Sequence, residues 1–296
     1  MRDRGTRRFP LPNVGWTVRP VVRMATLSLA LAAGPLGASG CLDKPASTGL
    51  NYSADAKRAY EAAMEEFDSH NWLDAQALFR EVKRKYSYSK WARLAELRIA
   101  DADFEQDKFA EATRGYRQFV HDHRSDTDDV VYARSRIAEA QYREISDSLF
   151  LPPGEERDQA VVVDAYRELR GFLHDYPDAK ESARVKKLVA DVTAKLIRHE
   201  LYVAKFYLNV DNYEAAVARV QYALRNYAAP GTIADALDAQ SGLEAEALLL
   251  LGETYLKMHH WTDARASFNE IKARYPQSGL TVQAEKYLAY MQKRGV

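Results

Sequence analysis

The 296-residue chain has a single cysteine, so no disulfide can form within it. No stretch alternates apolar and polar residues long enough to make a useful strand, which excludes a sheet-based architecture. Signatures of common catalysis are missing too. There is no Gly-rich phosphate loop and no Gly-x-Ser-x-Gly elbow, and His199-Glu200 is followed by Val203 where a zinc-protease helix needs a second histidine. His121 and His123 would point about 200° apart on a helix, so they cannot share a metal on one face. Asp101 and Asp103 straddle a helix and read as solvated charges, not as an acid–base pair. The expectation is a protein that is not an enzyme and that holds no metal or cofactor.

Charge of one sign is lacking only in sum: 42 basic side chains face 42 acidic ones. Residues 1–23 hold six arginines and one aspartate, and residues 24–40 hold no charge. Taking these from the totals leaves 36 basic and 41 acidic side chains from Cys41 onward, a net of −5. A body so balanced lacks the basic footprint that nucleic acid demands.

No apolar run is long enough to span a bilayer as an ordinary helix. The run from Met24 to Ala33 is short, follows a basic flank and leads into Ala38-Ser39-Gly40-Cys41. That is the layout of a secretory signal over residues 1–40, ending in a sequence that resembles a bacterial lipobox, with Ala38 where leucine is usual. Cys41 is therefore the expected lipid attachment site, and the lipid is the only added group expected. Leu42, not aspartate, follows it, which favours the outer membrane. Residues 41–52 read as a tether.

Beyond residue 53 the period is helical throughout, and one pattern recurs five times. An aromatic or bulky residue is followed by alanine three later, a large apolar residue four beyond that, and Tyr or His after seven more. The copies are Trp72-Ala75-Phe79-Tyr86, Phe109-Ala112-Tyr116-His123, Val162-Ala165-Leu169-Tyr176, Tyr213-Ala216-Val220-Tyr227 and Trp261-Ala264-Phe268-Tyr275. Twelve residues before four of the alanines stand Ala63, Ala100, Ala204 and Gly252, small enough for two helices to approach closely. This is the tetratricopeptide pattern, and the fold class expected is an all-α tetratricopeptide-repeat (TPR) solenoid of about five helix-turn-helix repeats. The segment Glu181–Lys205 reads as one long helix, and residues 147–160 and 228–243 read as surface loops. The expectation is one elongated solenoid, not two independent domains, with a soft division between an amino-terminal half at 53–178 (repeats one and two and the extended start of repeat three) and a carboxy-terminal half at 179–296 (repeats four and five). By repeat position, the amino-terminal groove should present Tyr60, Met64, Phe67, Leu94, Leu97, Asp101, Phe104 and Glu105 to a peptide.

The stretch from His199-Glu-Leu-Tyr-Val-Ala-Lys-Phe-Tyr-Leu208 through Asn212-Tyr-Glu-Ala-Ala-Val-Ala-Arg-Val-Gln-Tyr222 resembles the fourth repeat of the BamD family, also called ComL or YfiO. Arg157-Asp158 with the later Asp175-Tyr176-Pro177 resembles the family's third repeat. The chain departs from the family pattern at Tyr86-Ser87 and Tyr227-Ala228, where members usually carry Tyr-Pro. The resemblance implies a non-catalytic scaffold of outer-membrane β-barrel assembly, anchored by lipid to the outer membrane and facing the periplasm. It further implies docking on the periplasmic domains of a BamA-like barrel protein, contact with unfolded outer-membrane proteins, and company with other assembly lipoproteins. Arg219 occupies the position of a family arginine in the docking half. A second reading stays open: a periplasmic repeat lipoprotein that coordinates cell-envelope or peptidoglycan maintenance.

Overall fold

The computed structural model describes residues 49–124, 128–145, 152–227 and 242–296. The signal at 1–40, Cys41, the start of the tether and most of the loop at 228–243 lie outside the described residues. Ser47–Val296 form one compact unit. Among the described residues all regular structure is helical: α1 (Gly49–Asp68), α2 (Trp72–Lys85), α3 (Lys90–Glu105), α4 (Phe109–Asp122), α5 (Asp128–Arg143), α6 (Ala160–Asp175), α7 (Ser182–Asn209), α8 (Tyr213–Asn226), α9 (Leu243–Lys257), α10 (Trp261–Arg274) and α11 (Gly279–Arg294). Together they form a tetratricopeptide-repeat solenoid of five antiparallel pairs, α1/α2 to α9/α10, closed by α11. The first helix takes in residues 49–52, assigned above to the tether, because Tyr52 packs edge-on against Tyr86 with ring centroids 5.4 Å apart.

The repeat pattern positions these helices. In four repeats the aromatic residue is the first residue of the second helix, and in all five the alanine three later is fully buried. The turns before Trp72, Phe109, Tyr213 and Trp261 each contain one left-handed residue: His70 (φ 63°), Asp107 (φ 58°), Asp211 (φ 58°) and His259 (φ 59°). Each lies five positions before its repeat's alanine, and Asp and His are among the side chains that best tolerate this region. Two of the seven histidines are thus explained by backbone geometry. His199 is another structural case: its Nδ1–H donates to the Glu155 carbonyl (2.7 Å), tying the short turn at Gly154–Glu156 to α7.

The small residues of the first helices are close-contact points. Ala63, Ala100 and Ala204 are buried. A Cβ on Gly115 of α4 would lie 2.9 Å from that of Ala100, and one on Gly252 would lie 2.5 Å from Phe268 Cε1. Packing is between neighbours, as a stacked repeat requires. One core joins α1–α3 around Phe79, a second joins α3–α5 around Tyr116 and Phe119, and a third joins α8–α11 around Phe268 and Ile271.

The largest core surrounds α7, the 28-residue helix expected at Glu181–Lys205. It gathers Phe172 and Leu173 of α6, Val185 and Val189 of α7, Val220 of α8 and Leu250 of α9. The division expected at residue 178 therefore falls inside a continuous core. Burying each such side chain contributes about 1.5–3 kcal/mol, so the two halves are held as one body. No helix among the described residues is long and apolar enough to cross a membrane.

Candidate functional site

The eight groove residues are not all presented. Met64, Phe67 and Leu94 are half-buried and Glu105 is exposed, whereas Tyr60, Leu97, Asp101 and Phe104 are buried. The last four are corrected to packing residues. Tyr60 sits against Phe79 and Trp91, with ring centroids 5.5 and 5.2 Å away. Phe104 lies under the Arg136 guanidinium, 3.7 Å from its ring centre, and against Phe109. Bulky side chains at these first-helix positions fill the gap between consecutive repeats, leaving less open groove than repeat position alone suggests.

Asp101, read from sequence as solvated, is instead 2% exposed and the centre of a buried network. Its Oδ1 accepts from Tyr116 Oη (2.5 Å) and Tyr132 Oη (3.1 Å), and its Oδ2 accepts from Arg98. Arg98 Nε donates to Tyr60 Oη (3.3 Å), reaching back to α1. Arg136 of α5 donates to Tyr116 Oη (3.3 Å), Glu105 (3.0 Å) and Glu139 (3.1 Å), and Glu139 also binds Arg184 of α7 (2.7 Å). A polar chain thus runs through repeats one to three and onto α7. Burial opposes the charge of Arg98, yet the Asp101 carboxylate, Tyr60 and Tyr132 together outweigh it and raise that guanidinium further above its ordinary value. Burial, then the charge of Asp101, raise the Tyr116 hydroxyl strongly and push Tyr132 up to about 12.

These tyrosines make stability sensitive to alkali. Their protonated forms are favoured in the folded chain, so the contribution is complete below the ordinary tyrosine value of 10.0 and is lost as pH rises from there toward 12. Titration followed by tyrosinate absorbance and circular dichroism is expected to show Tyr132 and Tyr116 ionising only together with loss of helix above about pH 10. Ionisation of every tyrosine with full helicity retained would contradict the network.

Arg219 lies on α8 in the stretch that resembles the family's fourth repeat. Its side chain is 44% exposed, and Nη1 donates to Oε2 of the buried Glu200 on α7 (3.3 Å). Beside it stands an aromatic cluster. Tyr222 is 42% exposed, its ring lies 5.8 Å from that of Tyr227, and Tyr227 meets Tyr166 of α6 at 5.6 Å. Burial, then a hydrogen bond with Tyr222, raises the Tyr227 hydroxyl above its ordinary value. One end of the Arg219 fork is held by Glu200 while the rest faces solvent beside an exposed ring, an arrangement suited to binding a carboxylate on another surface.

Glu200 belongs to a device that sequence reading missed. Asp101, Glu200 and Glu244 are buried acids on first helices, and each is met by an arginine. Arg274 binds Glu244 through two nitrogens, one at 2.9 Å from Oε2, and Tyr275 donates to the same carboxylate. The available signal was an acidic residue set in an apolar run, as in Leu243-Glu-Ala-Glu-Ala-Leu-Leu-Leu-Leu251. Among the described residues no three His, Cys, Asp or Glu side chains gather as a metal site would require.

The YfiO family model, that of an outer membrane lipoprotein, matches residues 53–249, from α1 into α9. The chain belongs to this family. A tetratricopeptide-repeat model matches residues 246–278, covering most of α9 and all of α10. Among similar proteins, the outer membrane protein assembly factor BamD of Neisseria meningitidis serogroup A is 25% identical over 207 residues, 69% of this chain and 76% of that one. The factor of the same name from Caulobacter vibrioides is 25% identical over 209 residues, 71% of this chain and 65% of its own. A thermophilic tetratricopeptide-repeat protein of Thermus thermophilus aligns structurally over 79% of this chain and 99% of its own, at 15% identity and a TM-score of 0.30. The family match contains both the Asp101 network and the Arg219–Glu200 pair.

Proposed function

We propose that this outer-membrane lipoprotein family member is a non-catalytic scaffold of β-barrel protein assembly, tethered through a lipid on Cys41 and facing the periplasm. The reading rests chiefly on the family match over residues 53–249, supported by relatives that carry the name of outer membrane assembly factors. In this account the Arg219 face docks on the periplasmic domains of a BamA-like barrel protein. Met64, Phe67 and Leu94, with Glu105 at the edge, meet segments of unfolded barrel proteins. The 28-residue α7, about 42 Å long at 1.5 Å per residue, separates the two surfaces. The polar chain from Tyr60 to Arg184 stiffens the amino-terminal arm that carries Met64, Phe67 and Leu94. No cofactor takes part.

The test is depletion and complementation. Loss of the protein is expected to lower the amount of folded barrel proteins in the outer membrane, and the wild-type chain to restore it. Cys41→Ala is expected to fractionate with soluble periplasm and to restore it poorly, since stable anchoring depends on the acyl chains. Unchanged barrel levels on depletion would overturn the proposal, and a Cys41→Ala chain still on the membrane would overturn the anchor.

A further inference from the structure

A groove of about 600 Å³ opens at the carboxy-terminal end of the solenoid. It is remote in sequence from Arg219, and most of its lining follows residue 249, where the family match ends. Its apolar wall comes from four helices: Leu208 of α7, Leu256 of α9, Trp261 of α10 and Tyr287 with Tyr290 of α11. Its charged lining is nearly all of one sign. Lys257, Lys286 and Arg294 contribute cations, and the one carboxylate lining it, Glu253, already accepts from Tyr287 Oη (2.8 Å). Among the described residues these three cations make no ion pair, in a body whose net charge from Cys41 onward is −5.

The face of α11 beside the groove repeats this combination. Val282, Lys286, Tyr290 and Arg294 are spaced four apart and share one side of the helix. Val282 is 55% exposed and Tyr290 45%, and the Arg294 guanidinium lies over the Tyr290 ring, 4.9 Å from its centre. Here apolar side chains alternate with unpaired cations at helical spacing.

We propose that this groove binds an acidic amphipathic segment of a partner protein. Carboxylates of that segment pair with Lys257, Lys286 and Arg294, and its apolar side chains enter between Leu256, Trp261 and Tyr290. A bilayer surface would satisfy the cations but could not reach Leu256 or Trp261 in a recess between helices. The site is independent of the Arg219 face, so it stands or falls apart from the assembly reading.

The probe is a labelled 14-residue peptide with leucines at helical spacing and glutamates between, compared with the same peptide carrying glutamines or lysines. Fluorescence anisotropy with the full chain is expected to show the glutamate peptide binding about tenfold more tightly than the glutamine one, and weakening as salt rises. Lys286→Glu and Arg294→Glu, both on exposed turns of α11, are each expected to lower affinity about tenfold with the helical content unchanged. Tyr290→Ala should weaken the glutamate peptide at high salt as well. Equal affinity for the three peptides, or indifference to Lys286→Glu and Arg294→Glu, would overturn the proposal. So would vesicles of phosphatidylglycerol competing the peptide off, which would indicate a membrane-facing patch instead.

Discussion

Asp101→Ala is expected to destabilise the folded chain by on the order of 3–5 kcal/mol, the cost of breaking a buried ion pair by removing one partner. The substitution leaves Arg98 facing a void and strips the acceptor from two tyrosine hydroxyls, one of them in a fully buried ring. A buried donor without a partner loses its full solvation energy, so the damage exceeds the worth of the bonds themselves. Asp101→Asn keeps the size and one acceptor oxygen and should cost less, because it still receives a tyrosine hydroxyl. Urea unfolding followed by circular dichroism measures both. An Asp101→Ala chain as stable as wild type would show that the network does not hold the amino-terminal repeats together.

Gly252→Leu is expected to cost about 3 kcal/mol, toward the upper end for overpacking a core. Even a Cβ there would lie 2.5, 2.7 and 2.9 Å from Cε1, Cζ and Cδ1 of Phe268. That ring cannot swing aside easily, being fully buried and stacked on Tyr287 with centroids 5.0 Å apart and planes 11° from parallel. Because each repeat packs only on its neighbours, hydrogen exchange should quicken over α9–α11 and stay protected in α3–α5. Uniform exchange along the chain, or unchanged stability, would contradict the close contact of α9 and α10.

The helices were legible because their signal is local and periodic. Trp72, Phe109, Tyr213 and Trp261 each begin a second helix, and Ala75, Ala112, Ala165, Ala216 and Ala264 are all fully buried. The length of α7 was legible for the same reason, from an unbroken helical period with no proline or glycine. The division near residue 178 was expected as a soft one within a single solenoid, and the turn after Tyr176-Pro177 breaks the helix without breaking the core. Groove and core were confused at Leu97, Asp101 and Phe104 because first-helix residues of a solenoid face both the groove and the next repeat. Which one wins depends on a side chain from elsewhere, here Arg136, thirty-two residues downstream of Phe104. The charge of Asp101 suggested solvent for a similar reason, since its tyrosine partners Tyr116 and Tyr132 lie on other helices, while Arg98 shares its own. Pairing across repeats leaves no trace in local spacing. At Arg219 the fold adds what sequence could not supply: the buried Glu200 beneath it and the exposed Tyr222 beside it.

Affinity recovery of the tagged full chain from detergent-solubilised outer membranes tests whether the Arg219 face joins the chain to a barrel-assembly protein. Wild type, Arg219→Ala and Glu200→Gln would be compared by quantitative mass spectrometry, with circular dichroism confirming that each variant folds. A large barrel protein with periplasmic domains is expected to be recovered with wild type, strongly reduced with Arg219→Ala, and reduced less with Glu200→Gln, which releases the guanidinium without removing it. Recovery of peptidoglycan synthases in place of a barrel protein, or the same barrel protein recovered equally with Arg219→Ala, would contradict that docking.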